Sequence, residues 1–191
     1  IVAAGAAGLA AFGEVDEALD TIITKTGATG DQADRLSQSF KNVGSNTHLP
    51  LQTVGEAIGE VNTQFGFMDK KLEDSTNYLL QYAEINDTDV SQSAISARQA
   101  IDAYGLEYDD LNSVLDVTTK TSQNTGQSVD DLMKKAIDGA PQIKQLGLSF
   151  DEGVTLIGKF EQAGVDSSTM LSKMSKASVV YAKDNLSLQD G

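Results

Sequence analysis

The chain has 191 residues, 40% of them hydrophobic, which is enough apolar material for a packed core and argues against wholesale disorder. Its 14 Lys and Arg stand against 28 Asp and Glu, and the resulting net charge of −14 repels phosphate backbones, so nucleic-acid binding by this segment is not expected. There is no cysteine, which excludes disulfides and thiolate metal sites.

The first twelve residues, IVAAGAAGLAAF, are apolar and carry no basic flank, so they do not read as a signal peptide. The run is shorter than the roughly 20 residues that a membrane span needs. Two readings fit it, the end of a longer hydrophobic segment of a parent chain, which is preferred, and an Ala/Gly-rich helix packing on the rest; the first leaves room for membrane contact through residues 1–12. A first helix extends to Thr26-Gly27, with Val15, Leu19, Ile22 and Ile23 on one face. Thr29 and Gln32 have the form of a capping box, opening a second helix to Val43 with Leu36, Phe40 and Val43 as its apolar stripe. Gly44 to Leu49 is a polar loop, and Pro50 opens a third helix through Val54, Ile58, Val61 and Phe65.

A fourth helix runs from about Asp69 to Ile85, with Leu72, Leu79 and Ala83 on its buried face. Asn86-Asp87-Thr88 breaks it, and Thr88 is the expected cap of a fifth helix through Val90, Ala94, Ala97, Ile101 and Tyr104. The sixth helix starts near Tyr108, uses Leu111, Leu115 and Thr118, and fades into the polar run Ser122 to Gly126. Ser128 with Asp131 opens the seventh, which Pro141 is expected to kink or restart. Ser149 with Glu152 is a capping box for the eighth, through Phe150, Val154, Ile157 and Phe160. Asp166 or Ser167 caps the ninth, whose expected stripe is Met170, Met174, Ala177 and Tyr181. No stretch alternates with the period of two that a strand requires.

Gly66-Phe67, Gly105-Leu106, Gly147-Leu148 and Gly164-Val165 share one form, a glycine followed by an apolar residue at the end of a helical pattern. Gly66 and Gly105 are 39 residues apart, Gly105 and Gly147 are 42 apart. Such ends predict positive φ at the glycine and short turns between antiparallel helices. The expected fold is all-α: consecutive helical hairpins forming an irregular multi-helix bundle or short solenoid. The expected division is an N-terminal apolar helix over 1–26, a helical-hairpin domain over 27–185 and a frayed tail over 186–191.

Chemistry is not expected. His48, the single histidine, lies in a polar loop and reads as an exposed residue. Asp87-Thr-Asp89-Val-Ser91 has the start of a calcium loop, but Gln92 and Arg98 occupy the positions that need glycine and glutamate. Asp109-Asp110 and Asp130-Asp131 suit the positive ends of helices. Met68, Met133, Met170 and Met174 are expected to pack in the core, with an adaptable partner-binding groove as the alternative. Asn86-Asp-Thr88 and Asn185-Leu-Ser187 match glycosylation acceptors without secretory context. No catalytic, cofactor-binding or metal-binding residue is assigned, and no enzyme activity is expected.

The stretch Gly126 to Pro141, then Leu146-Gly-Leu-Ser-Phe-Asp-Glu to Ile157, then Ala163-Gly-Val-Asp-Ser-Ser168, resembles the core region of phage tail tape measure proteins. Lys25-Thr-Gly27, Phe40-Lys-Asn-Val43 and Val54 to Gly66 fit the same layout, so the resemblance covers roughly residues 20–180. It implies a structural protein that occupies the lumen of the tail tube and whose length sets tail length. It implies tail chaperone, tail tube and tail tip proteins as partners, an oligomer in the tail, and residence in the host cytoplasm during assembly. It transfers no catalytic residue. A helical-repeat adaptor for a protein partner, and a membrane-active segment aiding genome delivery, are the alternatives.

Overall fold

The computed structural model describes the backbone of residues 2–183 and the side chains of residues 13–182. The expectations for membrane contact through residues 1–12 and for a frayed tail over 186–191 fall outside those side chains. Among the described residues the regular elements are helical throughout: α1 (Val2–Thr26), α2 (Asp31–Gly44), α3 (Leu51–Phe65), α4 (Asp69–Asn86), α5 (Val90–Tyr104), a 3-10 turn (Tyr108–Asp110), α6 (Leu111–Thr125), α7 (Val129–Gln145), α8 (Phe150–Gln162) and α9 (Ser167–Lys183). The all-α expectation holds. No helix among the described residues is long and apolar enough to cross a membrane.

The chain divides into two compact units, Ile1–Ile95 and Ser96–Gly191, with the boundary inside α5. In the first unit α3 is the central helix. Val54, Ala57, Ile58 and Val61 are fully buried and Glu60 nearly so, which leaves α3 few solvent-facing positions and requires neighbours on several sides. It packs against α1, α2 and α4, and its most extensive partner is α1, two helices away in sequence. In the second unit α8 packs against α6, α7 and α9, and α7 also packs against α9, as α2 does against α4. The two units therefore repeat one pattern of helix neighbours, α1 to α4 and α6 to α9.

The repetition extends to single hydrogen bonds. Thr26 Oγ1 donates to the Ile22 carbonyl at 2.8 Å, and Thr125 Oγ1, 99 residues on, donates to the Thr121 carbonyl at 2.7 Å. The next residue in each case is a left-handed glycine, Gly27 at φ 66 and Gly126 at φ 75. Ile58-Gly59 on α3 and Ile157-Gly158 on α8 keep the same spacing, and all four are buried.

Helix ends follow backbone chemistry. At Gly147 the Leu148 amide donates to the Ile143 carbonyl at 3.1 Å and the Gly147 amide to Lys144 at 3.0 Å, closing a Schellman turn that needs the φ of 75 glycine adopts without a Cβ clash. Gly105 and Gly164 close in the same way. Val165 is nonetheless 38% exposed, so the turn forms there without burying the apolar residue that follows. Ser128 accepts from the Asp131 amide, and Ser149 and Glu152 form the full capping box.

Several expectations are corrected. The second helix is capped by Gly30, at φ 56 and with no side-chain bond, not by Thr29 with Gln32: after the left-handed Gly27 the chain needs a second permissive residue to turn into α2. Asp89, not Thr88, caps α5, its Oδ1 accepting from the Gln92 amide at 2.7 Å. Of the two residues expected to cap α9, Asp166 is the one that does, its Oδ1 accepting from the Thr169 amide at 2.7 Å. The entry to α6 is a 3-10 turn with a Glu107–Asp110 capping box, a signal not recognised in the sequence. α6 does not fade within the polar run but continues to Thr125 and ends on Gly126.

α7 continues through Pro141 rather than restarting, although the proline removes one backbone hydrogen bond, because Ala140 and Ile143 on its inner face are buried. Among the described side chains of α1 the buried ones are Ala18 and Ile22, while Ile23 is 36% exposed. On α9 they are Ser167, Leu171 and Ser175, so the expected Met170, Met174, Ala177 and Tyr181 stripe is only half-buried. Leu171 sets that rotation by filling the notch at Gly139, where an added Cβ would stand 3.1 Å from its Cδ1.

Candidate functional site

Among the described residues no group of three or more His, Cys, Asp or Glu is arranged to hold a metal ion. The polar side chains serve instead to join helices. The tightest junction is the seam between α1 and α3. A Cβ added at Gly55 would lie 2.7 Å from the Ala18 carbonyl oxygen, and one added at Gly59 would lie 2.8 Å from Cδ of Lys25. The two glycines, four residues apart on one face, bring the α1 backbone onto α3. Lys25 then reaches Glu60, Nζ to Oε1 at 2.5 Å, with the glutamate side chain only 10% exposed. Gln64 donates to the other carboxylate oxygen at 3.2 Å, and Gln52 donates to Thr21 Oγ1 at 2.9 Å across the same seam.

A second junction joins α7, α8 and the start of α9. Glu161 Oε1 accepts from Lys135 Nζ at 2.7 Å, from Ser167 Oγ at 2.6 Å and from the Ser167 amide at 3.0 Å. The lysine, with the serine beside it, holds the Glu161 carboxyl down to about 2. Nearby, the Tyr104 hydroxyl donates to the Ala136 carbonyl at 2.9 Å, its ring edge-on to Phe150 at 5.1 Å, and burial pushes the phenol well above its ordinary value.

Two surface depressions are walled by polar side chains. In the second unit a cleft of about 420 Å³ lies between α6 and α8, with Thr121 and Thr125 on one wall, Thr155 and Lys159 on the other, and Lys120 and Asp151 at its edges. In the first unit a depression of about 340 Å³ is walled by Glu56, Glu84, Asp87 and Asp89. The two aspartates there end α4 and begin α5, which accounts for their presence without a calcium ion.

His48 is exposed, as expected, but it has a partner: its Nε2 is 2.8 Å from Glu84 Oε1. Asp131 lies in the first turn of α7 as expected, and Asp109 and Asp110 lie in the 3-10 turn. The methionines divide. Met133 is core, Met170 and Met174 are half-buried, and Met68 begins α4 with its sulfur 3.1 Å from Asn62 Nδ2. Sequence reasoning missed the Lys25–Glu60 and Lys135–Glu161 pairs. The Gly55–Gly59 spacing was a usable signal for the first; the second joins residues that no local pattern connects.

Taken together, these groups hold helices in register; none is placed to activate a nucleophile or exchange a proton with a substrate. Comparison with known proteins agrees with a structural role. The model of the phage-related minor tail protein family matches residues 37–180. The tape measure protein of Pneumococcus phage Dp-1 is 24% identical over 142 residues, 74% of this chain. The chain spans only 12% of that relative's length. No solved structure matches.

Proposed function

Because the chain belongs to the phage-related minor tail protein family, and is thus a structural protein of a phage tail, we propose that it is a segment of a tape measure protein that occupies the tail tube and sets tail length. The observation that carries this reading is the similarity to the Dp-1 tape measure protein across most of the chain. The partners under this reading are tail tube, tail tip and tail chaperone proteins, met first in the host cytoplasm and then in the tail lumen, where the protein is an oligomer. The role is mechanical and needs no catalysis.

A ruler works by contour length, and an extended helix rises about 1.5 Å per residue. The compact helical units are therefore the form before packaging, and they open when the chain is confined in the tube. Support for opening comes from the buried hydroxyls of Thr76, Thr118, Thr121, Ser167 and Ser175, which share the core with its Leu, Ile and Phe side chains and reduce the apolar area that opening exposes. The test is an in-frame deletion of a block of about forty residues from the phage gene, with tails measured by electron microscopy. Tails shorter by about 60 Å support the reading; tails of unchanged length overturn it.

A further inference from the structure

Among the described elements α9 is the one whose sequence contains no Asp or Glu, in a chain that has 28 of them. Its inner face, Ser167, Leu171 and Ser175, is buried where it packs against α7 and α8. The opposite face carries Lys173, Lys176 and Val180, all exposed, at spacings of three and four that set them on one line of the helix. Met170, Met174 and Ala177 flank that line half-buried. Among the described residues neither lysine makes an ion pair, whereas Lys134 and Lys135 of the same unit are each paired with an acid.

The described part of α1 has the opposite character. Ala18 and Ile22 are buried where α1 packs on α3. The other side carries Asp16, Glu17 and Asp20, exposed and in no ion pair among the described residues. Asp16, Asp20 and Ile23 lie on one line, at spacings of four and three. On both helices the order is the same: two like charges about one turn apart, then an apolar residue two turns after the first. Laid parallel, Asp16 faces Lys173, Asp20 faces Lys176 and Ile23 faces Val180. Apolar exposure gathers on the same two helices. Of the five exposed large apolar side chains among the described residues, Ile23 is on α1, Val179 and Val180 are on α9, and Val165 is in the turn leading into α9; Ile85 on α4 is the exception.

We infer that the Lys173–Lys176–Val180 face of α9 docks the Asp16–Asp20–Ile23 face of α1 from a second copy of this chain. Charge complementarity and the matched order of the side chains select that occupant. The two faces differ, so the contact is heterologous: each copy offers both, and copies join head to tail into an open array or a ring. The net charge of −14 opposes self-association. At about 0.1 M salt, however, the Debye length is about 10 Å, so repulsion between distant acids is screened while charges in contact still attract. One helix face on each side is a small interface, and a Kd of about 100 µM is expected. The contact belongs to the 191-residue chain itself and does not depend on its role in the tail.

The experiment is sedimentation equilibrium of the 191-residue chain from about 10 to about 500 µM at about 0.1 M salt. Wild type is expected to associate as concentration rises. Asp16→Lys with Asp20→Lys, and separately Lys173→Glu with Lys176→Glu, set like charges face to face, and each variant is expected to associate about tenfold more weakly or worse. An equimolar mixture of the two variants restores opposite charges at every contact and is expected to associate as wild type does. Both variants remain acidic overall, so attraction of net charge does not bring them together. A Lys120→Glu, Lys159→Glu control, on exposed lysines of α6 and α8, is expected to behave as wild type. Circular dichroism checks folding; should a double variant not fold, Asp20→Lys and Lys176→Glu replace the pairs, with the same loss and rescue expected. Wild type monomeric throughout the range, association untouched by either reversal or equally weakened by the control, or a mixture no stronger than its parts overturns the inference.

Discussion

Gly59 of α3 lies directly beneath the side chain of Lys25 of α1, so close that a Cβ on the glycine would stand 2.8 Å from the lysine Cδ. The lysine is thereby held along α3 and delivered to Glu60 in the next position. A glycine chosen for its lack of a side chain thus positions an ion pair.

The two glycines of this seam should respond differently to alanine. At Gly55 the added Cβ meets backbone, the Ala18 carbonyl oxygen at 2.7 Å, and the helices must separate. At Gly59 it meets a flexible lysine chain. Overpacking costs about 1–3 kcal/mol, against a helix-propensity gain of about 1 kcal/mol. Gly55→Ala is expected to destabilise by about 1–2 kcal/mol net and Gly59→Ala to fall within about 1 kcal/mol of wild type. Urea denaturation measures both, and equal effects would refute the assignment of the close approach to Ala18.

The Lys25–Glu60 pair should show asymmetric mutational behaviour. Lys25→Met leaves a nearly buried carboxylate without its cation and is expected to cost about 1–3 kcal/mol. Adding Glu60→Leu removes the stranded charge and is expected to recover most of that loss. A double-mutant cycle by chemical denaturation reads the coupling; additive losses would mean that the pair contributes nothing as a unit.

Glu161 gives stability a defined acid limb. Its folded-state pKa, about 2, lies below its ordinary value of 4.5. The contribution is therefore complete above pH 4.5 and is lost as pH falls from there toward 2. Glu161→Gln is expected to cost about 1–3 kcal/mol at neutral pH, and its deficit relative to wild type should shrink through that window. Denaturation of both proteins along a pH series isolates the difference from the titration of other carboxylates. A deficit independent of pH would contradict the assignment.

Two left-handed positions carry opposite expectations. Gly147, at φ 75 with open space around it, should lose about 1 kcal/mol on change to alanine from backbone strain alone. Asp87 holds φ 52 without being a glycine, and Asp87→Gly should stabilise by up to about 1 kcal/mol. Thermal melts of the two variants check the pair of signs.

Opening of the units should be visible in hydrogen exchange. If the compact form gives way under confinement, α9, whose buried face is Ser167, Leu171 and Ser175, should exchange well before α3, which is buried on nearly every side. Uniform protection across all helices would argue against an openable fold.

Much of the local structure was legible. Ser128, the Ser149–Glu152 box and the glycines at 66, 105, 147 and 164 placed helix ends correctly, because capping depends on atoms within three to six residues of one another. Where two candidate caps were adjacent, as at Thr29 and Gly30 or Thr88 and Asp89, composition could not choose between them. The choice rests on where the incoming chain needs positive φ and where a side-chain oxygen falls. Burial faces were legible only to within a residue. Periodicity marks an apolar arc, and neighbouring helices decide which line of that arc faces inward. Ile23 was turned outward that way, and Leu171 was seated at Gly139 in place of Met170.

The family resemblance was likewise readable, since the motifs that carry it are helix ends. Only the tertiary structure decided that α1 settles on α3 and α6 on α8, and that Lys25 neutralises Glu60 and Lys135 neutralises Glu161. Hydrogen-bonded turns are fixed by short stretches of chain, whereas partners 26 to 35 residues apart are selected by the competition of whole helix faces for the same buried space.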